Sequence, residues 1–559
     1  MRSAAGFFYM IIMLVLCGCL PTIADQIETR PVDLAAPRPP LVEPTLGAGG
    51  TSAAASRATD LSGYAYSLQD QAESGLFAAE GLLNLTMEQA VFSALQRNRA
   101  LAVEQFTPLI AGTFVDTEQA VFDPVLFAEG SFESYRDRSL DDISARFFSI
   151  DGSRSLVRTG VRKRFQTGTD VSLDLALRGS DNDASEYSDE MRAGLNLTQA
   201  LLRDAGVAVN LVGVRQAETA ALASSYSLRG FAESLVAAVE QAYWEYGLAV
   251  RQEEIFQESF QLAQRQREDV RTRISVGQIA ETEETVVDAE LALREQQLID
   301  ARSVRERRRL NLLRLMNPPS AEGWQRQITI SENTVVPEVS LGSVMDHEAL
   351  AMRLRPDLNE ARLQARSGEL ETVQTKNGLL PRLDLFINIG KTGYSQSFSN
   401  SFTDLDGPGY DFTAGLDFEF PVYNRAAEAR DRRARAGYQQ ALQSIENLKQ
   451  LISLDVRTAL LEVERSLQQI VAGGSRRILQ EEVVRAETVR FGVGTATALD
   501  VARVQRDLLE SRINEVEAIV NYRLALTDLY LLDGTLLLRR GIAGPGAEEV
   551  VLSSSAAAR

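Results

Sequence analysis

RISVGQIAETEE, residues 273–284, and RFGVGTATALDV, residues 490–501, are copies of one segment set 217 residues apart. They share Arg273 and Arg490, Val276 and Val493, Gly277 and Gly494, and the carboxylates Glu283 and Asp500. The same offset aligns LLRLMN (312–317) with LYLLDG (529–534), so the helix between these landmarks is duplicated as well. A Val-Gly step between long apolar-periodic runs reads as the tip of a helical hairpin, because glycine accepts the backbone angles of a chain reversal. A duplicated hairpin of this size predicts a built object such as a tube or rod, not a catalytic pocket.

The flanking residues extend the repeat. Each half opens on a helical segment, 86–121 or 343–378, that stops near Pro124 or Pro381 and gives way to a β-pattern. In the second half Leu383, Leu385, Ile387 and Ile389 alternate with Asp384, Phe386, Asn388 and Gly390. Tyr410, Phe412, Ala414, Leu416, Phe418 and Phe420 then alternate with Asp411, Thr413, Gly415, Asp417 and Glu419. Period two with one apolar face fits a barrel strand between lipid and water. It fits a half-buried strand of a soluble sandwich equally well.

The first half offers four such runs, Val125–Tyr135, Leu156–Phe165, Val171–Leu177 and Met191–Gln199, with a tight turn at Gln166–Thr169. That is one hairpin more than the second half supplies. Whether the additional pair, around 156–177, joins a barrel or lies beside it is open from sequence. AGLNLTQALLRDAG (193–206) and AGLDFEFPVYNRAA (414–427) then lead into long helices. Their stripes are narrow: Ile445, Leu448, Ile452, Val456, Leu460 and Val463 on one arm, Leu509, Ile513, Val516 and Val520 on the return. Such stripes are coiled-coil seams, and helices of about 60 residues would reach roughly 90 Å. Gly473-Gly474 predicts a kink or short break.

Composition removes several functions. One histidine, His347, and two cysteines, Cys17 and Cys19, cannot build a zinc site, a His-based triad or a disulfide framework. His347 reads as a surface residue, Arg305–Arg309 as a solvated or interhelix charge face, and Tyr243-Trp244 with Tyr246 as helix packing. A net charge of −19 argues against nucleic acid. No enzyme constellation and no cofactor motif is present, so the chain is expected not to be an enzyme and to hold no cofactor or metal.

Arg2 followed by the apolar run Gly6–Leu16 reads as a secretory signal, not a membrane span. Leu16-Cys17-Gly18-Cys19 is similar to a bacterial lipobox, which would make Cys19 a lipidated N-terminus; a plain signal peptide is the alternative. The expected divisions are a signal peptide at 1–18, an extended linker at 19–83, repeats at 84–320 and 321–535, and a flexible tail at 536–559.

Taken in order, the lipobox, the two helix–hairpin–helical-hairpin copies, the Val-Gly tips and Phe122-Asp123-Pro124 resemble the TolC-type outer-membrane efflux proteins over about residues 84–535. The additional hairpin, Ala496 and Glu283 depart from that pattern. The resemblance implies a mixed α and β fold: long antiparallel helical hairpins forming a tunnel, plus transmembrane strands contributing to a barrel shared by a homotrimer. Strand number gives an independent reason for sharing. Four to six strands cannot close a barrel, and an open edge in hydrocarbon leaves backbone groups unpaired. With four strands from each protomer, the pore would have twelve.

The resemblance further implies an exit duct for efflux or type I secretion, partnered by a periplasmic adaptor, an inner-membrane transporter and outer-membrane lipid. It carries adaptor contact to Val276, Gly277, Thr282, Glu283, Val493, Gly494, Thr497 and Asp500. The other reading of these residues is that the glycines only make turns and the polar groups only cap helices. Asp500, with Arg503 one turn on, matches a periplasmic gate position, where a carboxylate ring would favour cations. A lipid-anchored adaptor and a coiled-coil protein without a pore are the rival classes.

Overall fold

The computed structural model describes residues 29–30, 82–141, 146–182, 185–330, 341–395, 398–544, 546 and 549–550. Cys19 and the signal-peptide stretch lie outside the described residues. The first copy comprises α1 (Met87–Arg97), α2 (Phe106–Gln119), β1 (Val125–Asp141), β2 (Arg146–Arg164), β3 (Thr169–Asn182), β4 (Ser185–Ala200), α3 (Val212–Ser275) and α4 (Thr282–Met316). The second comprises α5 (Val344–Leu354), α6 (Pro356–Asn377), β5 (Arg382–Ser395), β6 (Tyr410–Glu419), α7 (Arg425–Gly492) and α8 (Ala498–Leu532).

Both copies begin alike. Thr86 caps α1 in a capping box with Gln89, and Ser343 caps α5 in one with Asp346. Each box satisfies orphan N–H groups at a helix start. Pro356 then opens α6 at its first turn, where the missing N–H costs nothing. The long helices α3 and α7 run for 64 and 68 residues, about 100 Å at the usual rise, and turn back into α4 and α8 of 35 residues each. Helix α7 continues unbroken through Gly473-Gly474, against the expected break. The pair serves a close approach of α8 instead: a Cβ on Gly473 would lie 3.6 Å from the Glu515 Cα.

All six strands form one antiparallel sheet in the order β1-β2-β3-β4-β5-β6. The additional hairpin of the first half therefore belongs to the same sheet as the rest. Gly168, at a φ of +83°, makes the turn between β2 and β3. Among the described residues no helix is long and apolar enough to cross a membrane.

The largest core lies where the four long helices meet a parallel ribbon, Leu83–Leu85 paired with Ile328–Ile330, that ties the two copies together. Tyr243 and Tyr246 sit in this core, and their hydroxyls donate to the Leu85 and Ile328 carbonyls at 3.1 and 2.7 Å. Trp244 packs edge-on to Tyr243 and beneath the Arg523 guanidinium. The Arg305–Arg309 run is an interhelix ladder: Arg305 pairs with Glu253 at 2.8 Å and Arg308 with Glu245 at 2.6 Å.

Two further expectations, for His347 and for the tail, do not hold. His347 is buried, with Nδ1 2.9 Å from the Asp533 carboxylate just past the end of α8. The tail is not loose where it is described: Leu536–Arg539 is helical, and Leu536 and Leu537 enter the main core. Three successive leucines give this segment a reason to dock, and Arg540 fastens it to the buried Glu240 at 2.6 Å. Glu549–Val550 then pairs antiparallel with Thr29–Arg30, inside the segment expected as linker.

Beside His347 lies a second buried polar pair. Arg229 donates to Glu233 at 2.9 Å and to the carbonyls of Gly546 and Gly534 at 3.0 and 3.4 Å. Burial pushes the Glu233 carboxyl up to about 7, although Arg229 pulls the other way and Asp533 and Asp357 add to the rise. The folded protein thus holds this proton more tightly than the unfolded chain. The stabilisation is complete below the unfolded value of 4.5 and is lost as the pH rises to about 7. Denaturation in detergent should become easier across that window, by on the order of 3 kcal/mol from this group. The Glu233→Gln variant should lack that part of the slope; equal slopes in the two proteins would refute the assignment.

Candidate functional site

The two hairpin tips end their helices in the same way. At the end of α3 the Gly277 N–H donates to the Ile274 carbonyl and the Gln278 N–H to the Arg273 carbonyl, both at 2.9 Å. At the end of α7 the Gly494 N–H donates to Phe491 at 3.1 Å and the Thr495 N–H to Arg490 at 2.9 Å. This pair of hydrogen bonds closes a helix around a left-handed residue, and Gly277 and Gly494 have φ of +76° and +79°. Val276 and Val493 stand out into solvent beside them. Space around both glycines is open, so the backbone conformation requires glycine and crowding does not.

The copies diverge one step later. In the second tip Thr497 caps α8, and Asp500 completes the box by accepting from the Thr497 N–H at 3.0 Å and its hydroxyl at 2.7 Å. Those bonds hold the Asp500 carboxyl below its ordinary range, and the charges of Arg503 and Arg490 act in the same sense. In the first tip the position matching Thr497 is Ala280, which has no hydroxyl, and α4 starts without a side-chain cap. Glu283 is thereby released from a box of its own. Its Oε2 accepts the Ala498 N–H at 3.0 Å, capping the helix of the other copy.

The tips are joined further by Arg273, whose guanidinium lies 5.3 Å from the Phe491 ring centroid. Beneath them Val270, Val287, Phe491, Ala498 and Val501 form a small apolar core. Arg271 bonds Glu284 at 2.7 Å and Arg267 bonds Asp288 at 2.6 Å across α3 and α4. Seven expected residues, Val276, Gly277, Glu283, Val493, Gly494, Thr497 and Asp500, thus share one end of the molecule, with Thr282 exposed at the start of α4 and Arg503 exposed one turn beyond Asp500. Arg273 and Phe491 had no assigned role. The repeat of Arg273 as Arg490 was the available signal, but only the fold brings Arg273 onto the phenyl ring.

At the opposite end the sheet has two unlike faces. Residues joined by the strand pairing form a lateral row, Leu126–Val161–Leu173–Leu195–Ile389–Phe412, that is apolar across all six strands. The neighbouring row on the other face carries Asp174 and Asp411, with Arg158 and Arg192 bonded to them at 3.1 and 2.6 Å. An apolar exterior and a charged interior are what a barrel wall in lipid needs.

The model of the outer membrane efflux proteins matches residues 161–318 and 348–535, both repeats. The chain belongs to the outer membrane efflux protein family. Three solved structures share its fold. The Campylobacter jejuni CmeC outer membrane channel has a TM-score of 0.60 at 15% identity, covering 84% of this chain and 87% of that one. The outer membrane protein VceC from Vibrio cholerae has 0.59 at 16%, covering 80% and 96%. The open state of the Neisseria gonorrhoeae MtrE outer membrane channel has 0.57 at 16%, covering 80% and 89%. A comparison with the curated proteins finds no match.

Membership makes this chain an outer-membrane efflux channel with its strands in the bacterial outer membrane and its helical tunnel in the periplasm. The rival classes, a periplasmic adaptor and a coiled-coil protein without a pore, are set aside. The tip geometry yields a local test. Glu283→Ala removes the bond to the Ala498 N–H and should cost about 1 kcal/mol, as loss of a helix cap does. Hydrogen exchange should quicken over 498–501 and stay unchanged in the core around Val520; an unaltered tip would show that Glu283 contributes no cap.

Proposed function

We propose that three copies of this chain form the exit duct of a tripartite assembly. A periplasmic adaptor grips the hairpin tips, and an inner-membrane transporter feeds cargo through it. One observation carries assembly with other copies: the apolar row across the sheet ends at two edges, β1 and β6, that have no partner strand among the described residues. In a bilayer those edges must be paired, and six strands are too few to pair with themselves. The helices support the same reading. Phe106, Ile110 and Phe114 on α2 and Leu454, Leu461 and Ile478 on α7 are large, apolar and uncovered. Neighbouring copies would cover them.

At the tips, Val276 and Val493 offer exposed apolar contacts, and Gly277 and Gly494 let another backbone come close. Thr282 adds an unengaged hydroxyl, while Glu283, Thr497 and Asp500 shape the surface by holding the helix starts. Three copies of Asp500 around the closed mouth would favour cations, with Arg503 one turn on available to a neighbour's carboxylate. Cys19, lipidated, would anchor the N-terminus to the outer membrane. Efflux of small molecules and type I secretion of polypeptides both fit such a duct, the choice resting with the transporter.

Light scattering of the detergent-solubilised protein should return a trimer, and a monomer would end this reading. Photo-crosslinking groups at Val276 and Val493 should trap the adaptor encoded with the transporter; trapping equal to that at a mid-helix control position would remove the tips as its site. In planar bilayers Asp500→Ala should lower the cation preference, and an unchanged preference would remove Asp500 from the gate.

A further inference from the structure

We infer that every strand of the protomer is part of the wall, so the trimer proposed above closes as an eighteen-stranded barrel, not a twelve-stranded one. The inference rests on that trimer and goes beyond it in assigning the additional hairpin.

The pairing register carries the argument. The apolar row Leu126–Val161–Leu173–Leu195–Ile389–Phe412 runs from one edge to the other without a polar interruption. A parallel row, Lys163–Val171–Leu197–Ile387–Ala414, is apolar from β3 onward, with Lys163 at the periplasmic end of β2. Phe132, two alternations above Ala128 on the same face of β1, is 74% exposed, and Leu126 is 77% exposed. From Leu126 to Phe132 the strand rises about 20 Å, close to the height of a lipid-facing apolar band. A hairpin folded into the lumen or lying in the periplasm would have no use for this face.

The opposite face is equally continuous. Its row Phe127–Gly160–Asp174–Gly194–Gly390–Asp411 places a glycine beside each charged cluster. Asp174 is only 2% exposed, since Arg158 of β2 reaches it at 3.1 Å and Asn196 of β4 at 2.8 Å. Arg192 crosses to Asp411 of β6 over Gly390, where an added Cβ would lie 2.8 Å from its Nη2 and 2.2 Å from the Asp411 Oδ1. Charges therefore lie flat against the interior wall. The additional hairpin is bonded into this network through Arg158, and Glu133 and Arg154 extend it toward the outer end at 3.9 Å.

The edges fit one another as well. Successive strands alternate in direction, so β6 of one copy and β1 of the next meet antiparallel, and the alternation continues around the ring. Barrel diameter grows about linearly with strand number, and barrels of roughly 16–18 strands leave an open aqueous channel. An eighteen-stranded exit is about half again as wide as a twelve-stranded one. The limit on cargo size then falls at the helical mouth and not at the membrane, which suits bulky hydrophilic cargo.

The test uses the full chain in liposomes. A fluorophore is attached through Leu126→Cys, Phe132→Cys, Leu416→Cys or Glu133→Cys, with the unsubstituted protein as background. Nitroxide-bearing lipid should quench the labels at 126, 132 and 416, and aqueous iodide the label at 133. If iodide alone reaches 126 and 132 while lipid reaches 416, β1 and the β2–β3 hairpin bonded to it lie outside the wall and the inference is wrong. A second variant excises residues 125–162 and joins Pro124 to Lys163, positions brought together by the pairing of Val125 with Arg162. The radius of polymer admitted from the barrel side should then fall by about one third. An unchanged cut-off overturns the inference, and a variant that does not assemble leaves the labels to decide. Light scattering separates the two levels: a non-trimer defeats the proposed duct, whereas a trimer with water-facing labels at 126 and 132 defeats only the strand count.

Discussion

An unpaired strand edge cannot stand in hydrocarbon. Each exposed N–H and C=O there lacks water and costs several kcal/mol, so a membrane sheet must close or find a neighbour. Among its described residues this chain carries a sheet with one apolar face and two free edges, and much of its architecture follows from that incompleteness. Helices α2 and α7 leave apolar side chains uncovered along their length, as expected of a surface built to meet another copy. Within the protomer the duplicated hairpins pack on each other and the parallel ribbon at Leu83–Leu85 and Ile328–Ile330 locks the copies together. The chain is thus packed at its middle and leaves apolar surface uncovered at its flanks.

Duplication supplied matched tips, and divergence joined them. Both glycines keep the same helix-ending hydrogen bonds, since the left-handed backbone leaves few alternatives. One hydroxyl decides the difference. Thr497 lets Asp500 serve its own helix; Ala280 cannot, and Glu283 serves the neighbouring copy's helix instead. The role of a carboxylate at equivalent positions is therefore set three residues upstream, by whether the cap residue has an oxygen.

Much of this was legible in the sequence because it is local or periodic. The Val-Gly tips, the repeat boundaries at Pro124 and Pro381, and the alternation over Leu383–Ile389 each encode structure within a few residues. Relations across the fold were not. His347 looked like a surface residue because its partner, Asp533, lies far along the chain and meets it only once α8 has returned. Alternation assigns a face to each strand of the additional hairpin but not a neighbour, so its place in or beside a barrel stayed open. Gly473-Gly474 resembles a helix break, and only the approach of Glu515 shows why small residues stand there. The leucines at 536–538 sit in a segment otherwise rich in small residues, and their docking surface on α3 comes from the other copy.

Stability is distributed unevenly along the duct. The middle is held by the broad core around Tyr243, Trp244 and Leu312, with buried hydrogen-bonded pairs at Arg229–Glu233 and Glu240–Arg540. The tips rest on a small core of Val270, Val287, Phe491, Ala498 and Val501, one cap from Glu283 and surface ion pairs that contribute little individually. Regions with few buried apolar contacts open at lower cost than the core they adjoin. Separating the two tips would forfeit the Arg273–Phe491 stack and the Glu283 cap while leaving the middle intact. A tube that must stay sealed in the bilayer and still admit cargo at its far end needs that gradient, and Ala280, standing where the other copy has Thr497, places one of its few latches there.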